Sequence, residues 1–222
     1  MIGQISFKPD EKFGDTKTAS ALRSMSGGEV MEEHLEIERR FFVDQGSEKP
    51  WRVLEASSKV IQYYLEANFL RLQGHTLVYN EAVEIIRLGE ETRTIFLSEK
   101  DWTVRIRFRD ERTTLTLKGR RTNATAAELE WNIERDLGER IVMQREHPFV
   151  EKRRYLWDGV DGFVWEVDEF EGELSPLVLA EVELPAEDAS VELPAWLGEE
   201  ITGDHSWSNA SLAHRKSEFT MD

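Results

Sequence analysis

Residues 35–43 read Leu-Glu-Ile-Glu-Arg-Arg-Phe-Phe-Val, a pattern that suits an extended strand with two unlike faces. Successive side chains of a strand point to opposite sides, so Glu36, Glu38 and Arg40 share one face while Leu35, Ile37, Phe41 and Val43 mark the other. A solvated outer face would explain one such segment. The pattern recurs too often for that. Residues 103–109 set Val104, Ile106 and Phe108 against Arg105, Arg107 and Arg109. Residues 113–118 set Leu115 and Leu117 against Thr114, Thr116 and Lys118, with Asp110 and Glu111 as the turn between the two. Residues 128–134 oppose Leu129, Trp131 and Ile133 to Glu128, Glu130, Asn132 and Glu134. Lys152 and Arg154 share a face in 149–155, Glu166 and Asp168 in 163–170, and Glu181 and Glu183 in 177–184. With the β-branched and aromatic run 59–65, this makes about eight strands.

The remaining segments read as additions to this framework. Residues 1–33 are an N-terminal extension, flexible or an added edge element, with Ser24–Gly28 as a joint. Residues from about 66 to 101 are an insertion. Within it, 81–88 has Val83, Ile86 and Leu88 at helical spacing, and 92–97 reads as a strand. Asp136 is the expected N-cap of a helix from Leu137 toward Glu146, a short helical stretch is expected between Pro185 and Pro194, and 208–216 is the expected last helix, capped by Ser208 or Asn209. The tryptophans are expected in the core and its contacts with the helices.

If the strands close or nearly close into a barrel with the charged residues inward, helices would cover the apolar outside. The inward cations would be Arg40, Arg105, Arg107, Lys118, Lys152 and Arg154. The inward acids would be Glu36, Glu38, Glu130, Glu166, Asp168, Glu181 and Glu183. Charges gathered in a cavity must be paired, hydrated or bound to ions. Hard divalent cations take carboxylate oxygens, and Arg and Lys grip phosphoryl oxygens, so a metal-bridged polyphosphate satisfies both sets together. Composition narrows the alternatives. A formal charge of -16 over 222 residues argues against general binding to nucleic acid or anionic membrane, and the absence of cysteine excludes disulfide and thiolate chemistry. No apolar run has the length of a membrane span or signal peptide, so a cytoplasmic location is expected.

The segment Glu-Ile-Glu-Arg-Arg-Phe at 36–41 resembles the E-x-E-x-K signature of the CYTH superfamily, the triphosphate tunnel metalloenzymes, with Arg40 in place of the Lys. The likeness continues through 62–65, 104–107, 115–118, 151–155, 165–170, 174–184 and 196–209. Trp165-Glu-Val-Asp-Glu-Phe, with Gly172, Leu174-Ser-Pro-Leu and Ala180-Glu-Val-Glu-Leu, is most similar to the bacterial inorganic-triphosphatase branch. The resemblance implies an α+β fold, an eight-stranded antiparallel β tunnel (barrel) with a charged lumen and helices packed outside, over residues 34–222. It also implies a triphosphate-containing small molecule as ligand and Mg2+ or Mn2+ as cofactor. From the net charge neither nucleic acid nor membrane is expected as a partner, and a homodimer is compatible with the reading. The leading expectation is hydrolysis of inorganic tripolyphosphate to diphosphate and phosphate. The alternatives are an adenylate cyclase making cyclic AMP from ATP and a non-catalytic polyphosphate or nucleotide sensor. Carried over by position, Glu38, Glu130 and Glu183 are the catalytic candidates, and Glu36, Glu38, Glu166, Asp168, Glu181 and Glu183 the metal ligands. Arg40, Arg105, Arg107, Lys118, Lys152 and Arg154 would hold phosphates.

Overall fold

The computed structural model describes residues 23–24, 30–31, 37–44, 46, 48–53, 57–119, 127–186 and 188–215. Two strands of two residues come first, β1 (Arg23–Ser24) and β2 (Val30–Met31), followed by β3 (Ile37–Val43) and β4 (Ser57–Leu65). The insertion forms β5 (Leu70–Gln73), β6 (Thr76–Tyr79), β7 (Val83–Arg87) and α1 (Glu90–Ser98). Then come β8 (Thr103–Arg109), β9 (Arg112–Lys118), β10 (Glu128–Asn132), α2 (Arg135–Val142), β11 (Phe149–Asp158), β12 (Val164–Phe170), β13 (Val178–Leu184), β14 (Leu197–Glu200) and α3 (Asn209–His214).

All eight strands expected from the alternation form, and all pair antiparallel. They do not close into an eight-stranded barrel. The sheet order is β1-β2-β10-β9-β8-β4-β11-β12-β13-β3-β14, eleven strands of which nine have four residues or more. Closure would require β3 to meet β10. Instead β14 occupies the free edge of β3 and β2 that of β10, and among the described residues no ladder joins the two ends. Leu35 and Glu36, the start of the opening segment, lie outside the described residues.

Directly paired residues on neighbouring strands share a face, so the register shows where the charges go. Glu130 pairs with Thr116, Thr116 with Arg105, and Arg107 with Gln62. Farther along, Arg154 pairs with Asp168, Glu166 with Glu181, and Glu181 with Arg40. One face of the sheet is therefore polar across eight adjacent strands, with charged side chains on seven of them and Gln62 on β4. The residues between these, including Ile106, Leu115, Leu117, Trp131, Val167, Ala180 and Val182, are buried on the other face.

That apolar face is covered in two parts. Over β8, β9 and β10, the core includes Leu77 and Tyr79 of the inserted sheet and Ile141 of α2, with Ile95 and Phe96 of α1 packed against it. Over β3, β12 and β13, Trp51 and Trp196 complete a second core with Phe41 and Trp165. α2 approaches closely at Gly138, where an added Cβ would lie 2.8 Å from Thr113 Cγ2 and 3.2 Å from the Phe108 ring. A third apolar group lies at one end of the charged face. There Leu212 and Ala213 of α3 pack with Tyr64, Val150, Phe170 and Leu179, one from each of four adjacent strands, so this face is concave around α3.

The insertion reverses the sequence expectation. Residues 83–87 form a strand because a bulge opposite Leu77 and Val78 places Ile85 between Glu84 and Ile86, which pair with Val78 and Leu77. The extra residue gives Val83 and Ile86 a three-residue spacing that imitates a helix. Residues 90–98 are helical despite their β-branched content, with Glu90 and Glu91 in the first turn, where the helix dipole favours them. At α2 the flanking N-cap residue is Glu134, and Asp136 sits within the first turn instead. No helix forms between Pro185 and Pro194 among the described residues; a turn from Ala186 to Ala189 (N to O 3.1 Å) stands there, and Pro194 biases Leu193 toward extended backbone. α3 does take Ser208 as its cap, its hydroxyl accepting from the Ser211 amide. Among the described residues no helix is long and apolar enough to cross a membrane.

Leu115 has no exposed surface and sits on the apolar face beside Thr116 of the charged one. Leu115→Ala is expected to lose about 2–5 kcal/mol of unfolding free energy in urea titrations followed by tryptophan fluorescence. A loss under about 1 kcal/mol would mean that this face is not the core.

Candidate active site

The middle of the charged face is built on the pairing of β11 with β12. Lys152 and Asp168 are almost wholly buried, at 1% and 2% exposure, and their charged groups are in direct contact. Lys152 Nζ also reaches Asn209 Oδ1 of α3 at 3.3 Å. Arg154 donates to the same carboxylate through two nitrogens, Nε to Oδ1 and Nη2 to Oδ2, both at 2.6 Å. A parallel two-bond contact of this kind fixes the guanidinium plane as well as its position. Arg154 Nη1 then contacts Glu166, and its Nη2 lies 3.7 Å from Glu181. On β3, Arg40 continues the network, donating to Glu181 at 2.5 Å and to Glu38 at 3.0 Å. Burial alone would raise the Asp168 pKa, but the charges of Lys152 and Arg154 and their hydrogen bonds outweigh it and pull the carboxyl down to about 2. Burial opposes the Arg154 charge too, yet Asp168, Glu166 and Glu181 raise its pKa above the ordinary arginine value.

A second group stands on β8, β9 and β10. Arg105 donates to Thr116 Oγ1 at 3.0 Å, and that hydroxyl donates to Glu130 at 3.0 Å. Glu130 lies 3.8 Å from both Arg105 and Arg107. One carboxylate thus faces two guanidinium groups, and the imbalance shows in Arg107. Burial, and after it repulsion from Arg105, lowers its pKa to about 10. Such a site gains from an added anion. Between the two groups lie Gln62 and Tyr64, with the Gln62 amide donating to the tyrosine hydroxyl at 3.3 Å. Lys118 stands toward the end of β9, 3.3 Å from Glu128.

The acidic side lies beyond Arg154. Glu166 and Glu181 are direct cross-strand partners, as are Glu183 and Glu38, and all four line a cavity of about 360 Å³ together with Leu156 and Val164. Their oxygens are donors of the type a hard divalent cation takes. Among the described residues, however, no three acids stand together as a ready-made cage. Arg40 bridges Glu38 and Glu181, and Arg154 holds Glu166.

The residues singled out from sequence therefore fall into three places. Glu38, Arg40, Lys152, Arg154, Glu166, Asp168 and Glu181 form one network, with Glu183 beside it; Arg105, Arg107 and Glu130 form the second group; Lys118 is peripheral. Glu36 lies outside the described residues. Sequence reasoning gave no site role to Thr116, Gln62 or Asn209. Thr116 shares the charged register of its strand and was legible from it, whereas the strand of Gln62 has no charged alternation to mark it. Nothing local to the last helix points Asn209 at Lys152.

This chain is similar in sequence and fold to inorganic triphosphatases. An inorganic triphosphatase from Acetivibrio thermocellus is 42% identical over 115 residues, 51% of this chain and 73% of that protein. One from Nitrosomonas europaea is 48% identical over 66 residues, covering 29% of this chain and 44% of its own length. Among solved structures, the inorganic triphosphatase NE1496 superposes with a TM-score of 0.51 at 29% identity, over 80% of this chain and 93% of that one. Residues 91–215, from α1 through α3, match the CYTH domain, and the chain belongs to that family.

Proposed function

We propose that this chain is a divalent-metal-dependent triphosphate hydrolase acting first on inorganic tripolyphosphate, as its inorganic triphosphatase relatives are named for doing. One observation carries the reading. A single concave face holds an under-neutralised cationic group, Arg105 and Arg107 against Glu130, and an acidic group, Glu38, Glu166, Glu181 and Glu183, with Arg154 between them and Arg40 among the acids on β3. A polyphosphate chain supplies the anions that the first group lacks. A hard cation travelling with it supplies the positive charge for the second.

Mg2+ commonly takes only one or two carboxylates and completes its shell with water and substrate phosphate oxygens. That habit suits a site with paired acids and no three-acid cage. The pairs Glu38 with Glu183 and Glu166 with Glu181 are the proposed holders, for Mg2+ or Mn2+. Bound there, the ion would supply charge neutralisation and a more acidic water. The chain's own part is then positioning. Arg105, Arg107, Arg154 and Arg40 grip phosphoryl oxygens and meet the charge that develops as the terminal phosphoryl group is transferred. Glu38, a partly exposed residue of the cavity wall, would take a proton from the attacking water. Asp168 acts differently. Both of its oxygens serve Lys152 and Arg154, so it is proposed as the residue that positions the cations.

Phosphate release from tripolyphosphate should require Mg2+ or Mn2+ and should fall at least a hundredfold in Glu38→Gln. Unchanged turnover in that variant would remove Glu38 from the reaction. Asp168 makes a separate prediction about stability. Its folded pKa lies below the unfolded value of about 3.9, so its contribution is complete above pH 4 and is lost as pH falls through about 2. Asp168→Asn should cost about 3–5 kcal/mol at neutral pH, because Lys152 is left buried without its counter-charge. Its urea midpoint should also change less than that of the wild-type protein between pH 4 and 2. Parallel pH profiles would show that Asp168 is not the controlling acid.

A further inference from the structure

Apolar side chains enter the charged face at two ends, and among the described residues only one end is covered. Tyr64, Val150, Phe170 and Leu179 lie under α3. At the other end Leu156 and Val164 are each 46% exposed and line the cavity of the four glutamates. Leu156 pairs directly with Glu166, Glu166 with Glu181, and Glu181 with Arg40. One row across the sheet therefore runs from an aliphatic group through two acids to a guanidinium. Val164 pairs with Asp158 and precedes Glu166 by two residues on the same face, which makes it the diagonal neighbour of Leu156.

Single exposed aliphatic residues are common on protein surfaces. Two neighbours within the wall of a charged cavity are a different matter, because solvent contact there costs free energy that a polar residue would avoid. Inorganic polyphosphate gives them nothing to cover, since its surface is oxygen throughout. A triphosphate ester does, for its organic group has ring and sugar faces that an aliphatic wall can take out of water. Arg40 and Arg154 are at hand to hold the phosphoryl chain near the same row, leaving the ester end over Leu156. The adjacent carboxylates would favour an organic group that is neutral or cationic and oppose an anionic one.

We propose that Leu156 and Val164 are specificity-determining residues, a ledge for the organic group of a triphosphate ester such as a nucleoside triphosphate. The inference rests on the triphosphatase reading given above. The test is steady-state hydrolysis of ATP and of tripolyphosphate with Mg2+ by the wild-type chain, by a Leu156→Ser, Val164→Ser double variant and by a Leu156→Met, Val164→Ile control. In the serine variant kcat/KM for ATP should fall about tenfold, chiefly through KM, while tripolyphosphate changes less than twofold. The apolar control pair should keep kcat/KM for ATP near the wild-type value. Equal losses on both substrates would make the two residues structural and overturn the proposal. Tripolyphosphate turnover with no ATP turnover, or with the ratio unmoved, overturns the ledge and leaves the triphosphatase reading standing. A wild-type chain that hydrolyses neither substrate, with Mg2+ or with Mn2+, removes both.

Discussion

The charged face depends on Asp168. An ammonium group as deeply buried as that of Lys152 is unfavourable without a counter-charge, by several kcal/mol. Asp168 supplies it and in the same contact takes both arms of Arg154. The remaining order follows outward from that pair. Arg154 fixes Glu166 and stands near Glu181, Glu181 accepts from Arg40, and Arg40 also donates to Glu38, so one buried carboxylate orders side chains on four adjacent strands. Groups held this way before substrate arrives need little reorganisation when charge develops on it. Asn209 ties the C-terminal helix to the same centre through Lys152.

The pleat separates folding from chemistry. Leu115 and Thr116 are neighbours in sequence, yet one is core and the other relays Arg105 to Glu130. Because successive residues serve opposite faces, the apolar face can be packed by the inserted sheet, α1, α2, Trp51 and Trp196 without touching the charged one. The exception is α3, which brings apolar side chains onto the charged face and gives that face its concavity. A sheet with charge on one side has no hydrophobic reward there. Its stability comes from the apolar side, which leaves the charged side free to hold groups that folding alone would not favour.

Much of this was legible in the sequence because two-residue alternation is a local signal. It located all eight long strands of the charged face, and the sharing of faces by Arg105 with Arg107, and by Glu166 with Asp168, followed directly. Three kinds of feature were not legible. The bulge at Ile85 gave β7 a helical spacing, so local pattern pointed the wrong way. Closure failed because β14 and β2 took the edges of β3 and β10, and strands of four and two residues are too short to announce themselves by period. The division of labour among the acids was also hidden. Asp168 and Glu166 alternate identically in sequence, and only depth separates them, the one beside Lys152 and the other at the cavity wall.

The two short edges have a consequence for the life of the protein in a crowded solution. An uncovered strand edge offers unpaired amide and carbonyl groups on which another chain can build, the route by which sheets join into aggregates. At one side this sheet ends in two-residue strands. At the other it ends in β14, which carries Glu199 and Glu200 and shifts register against β3 between Leu197 and Glu200. Among the described residues neither margin presents a long apolar strand. A sheet that stops short of becoming a closed cylinder thus still avoids the adhesive border that an open sheet of this width would otherwise expose.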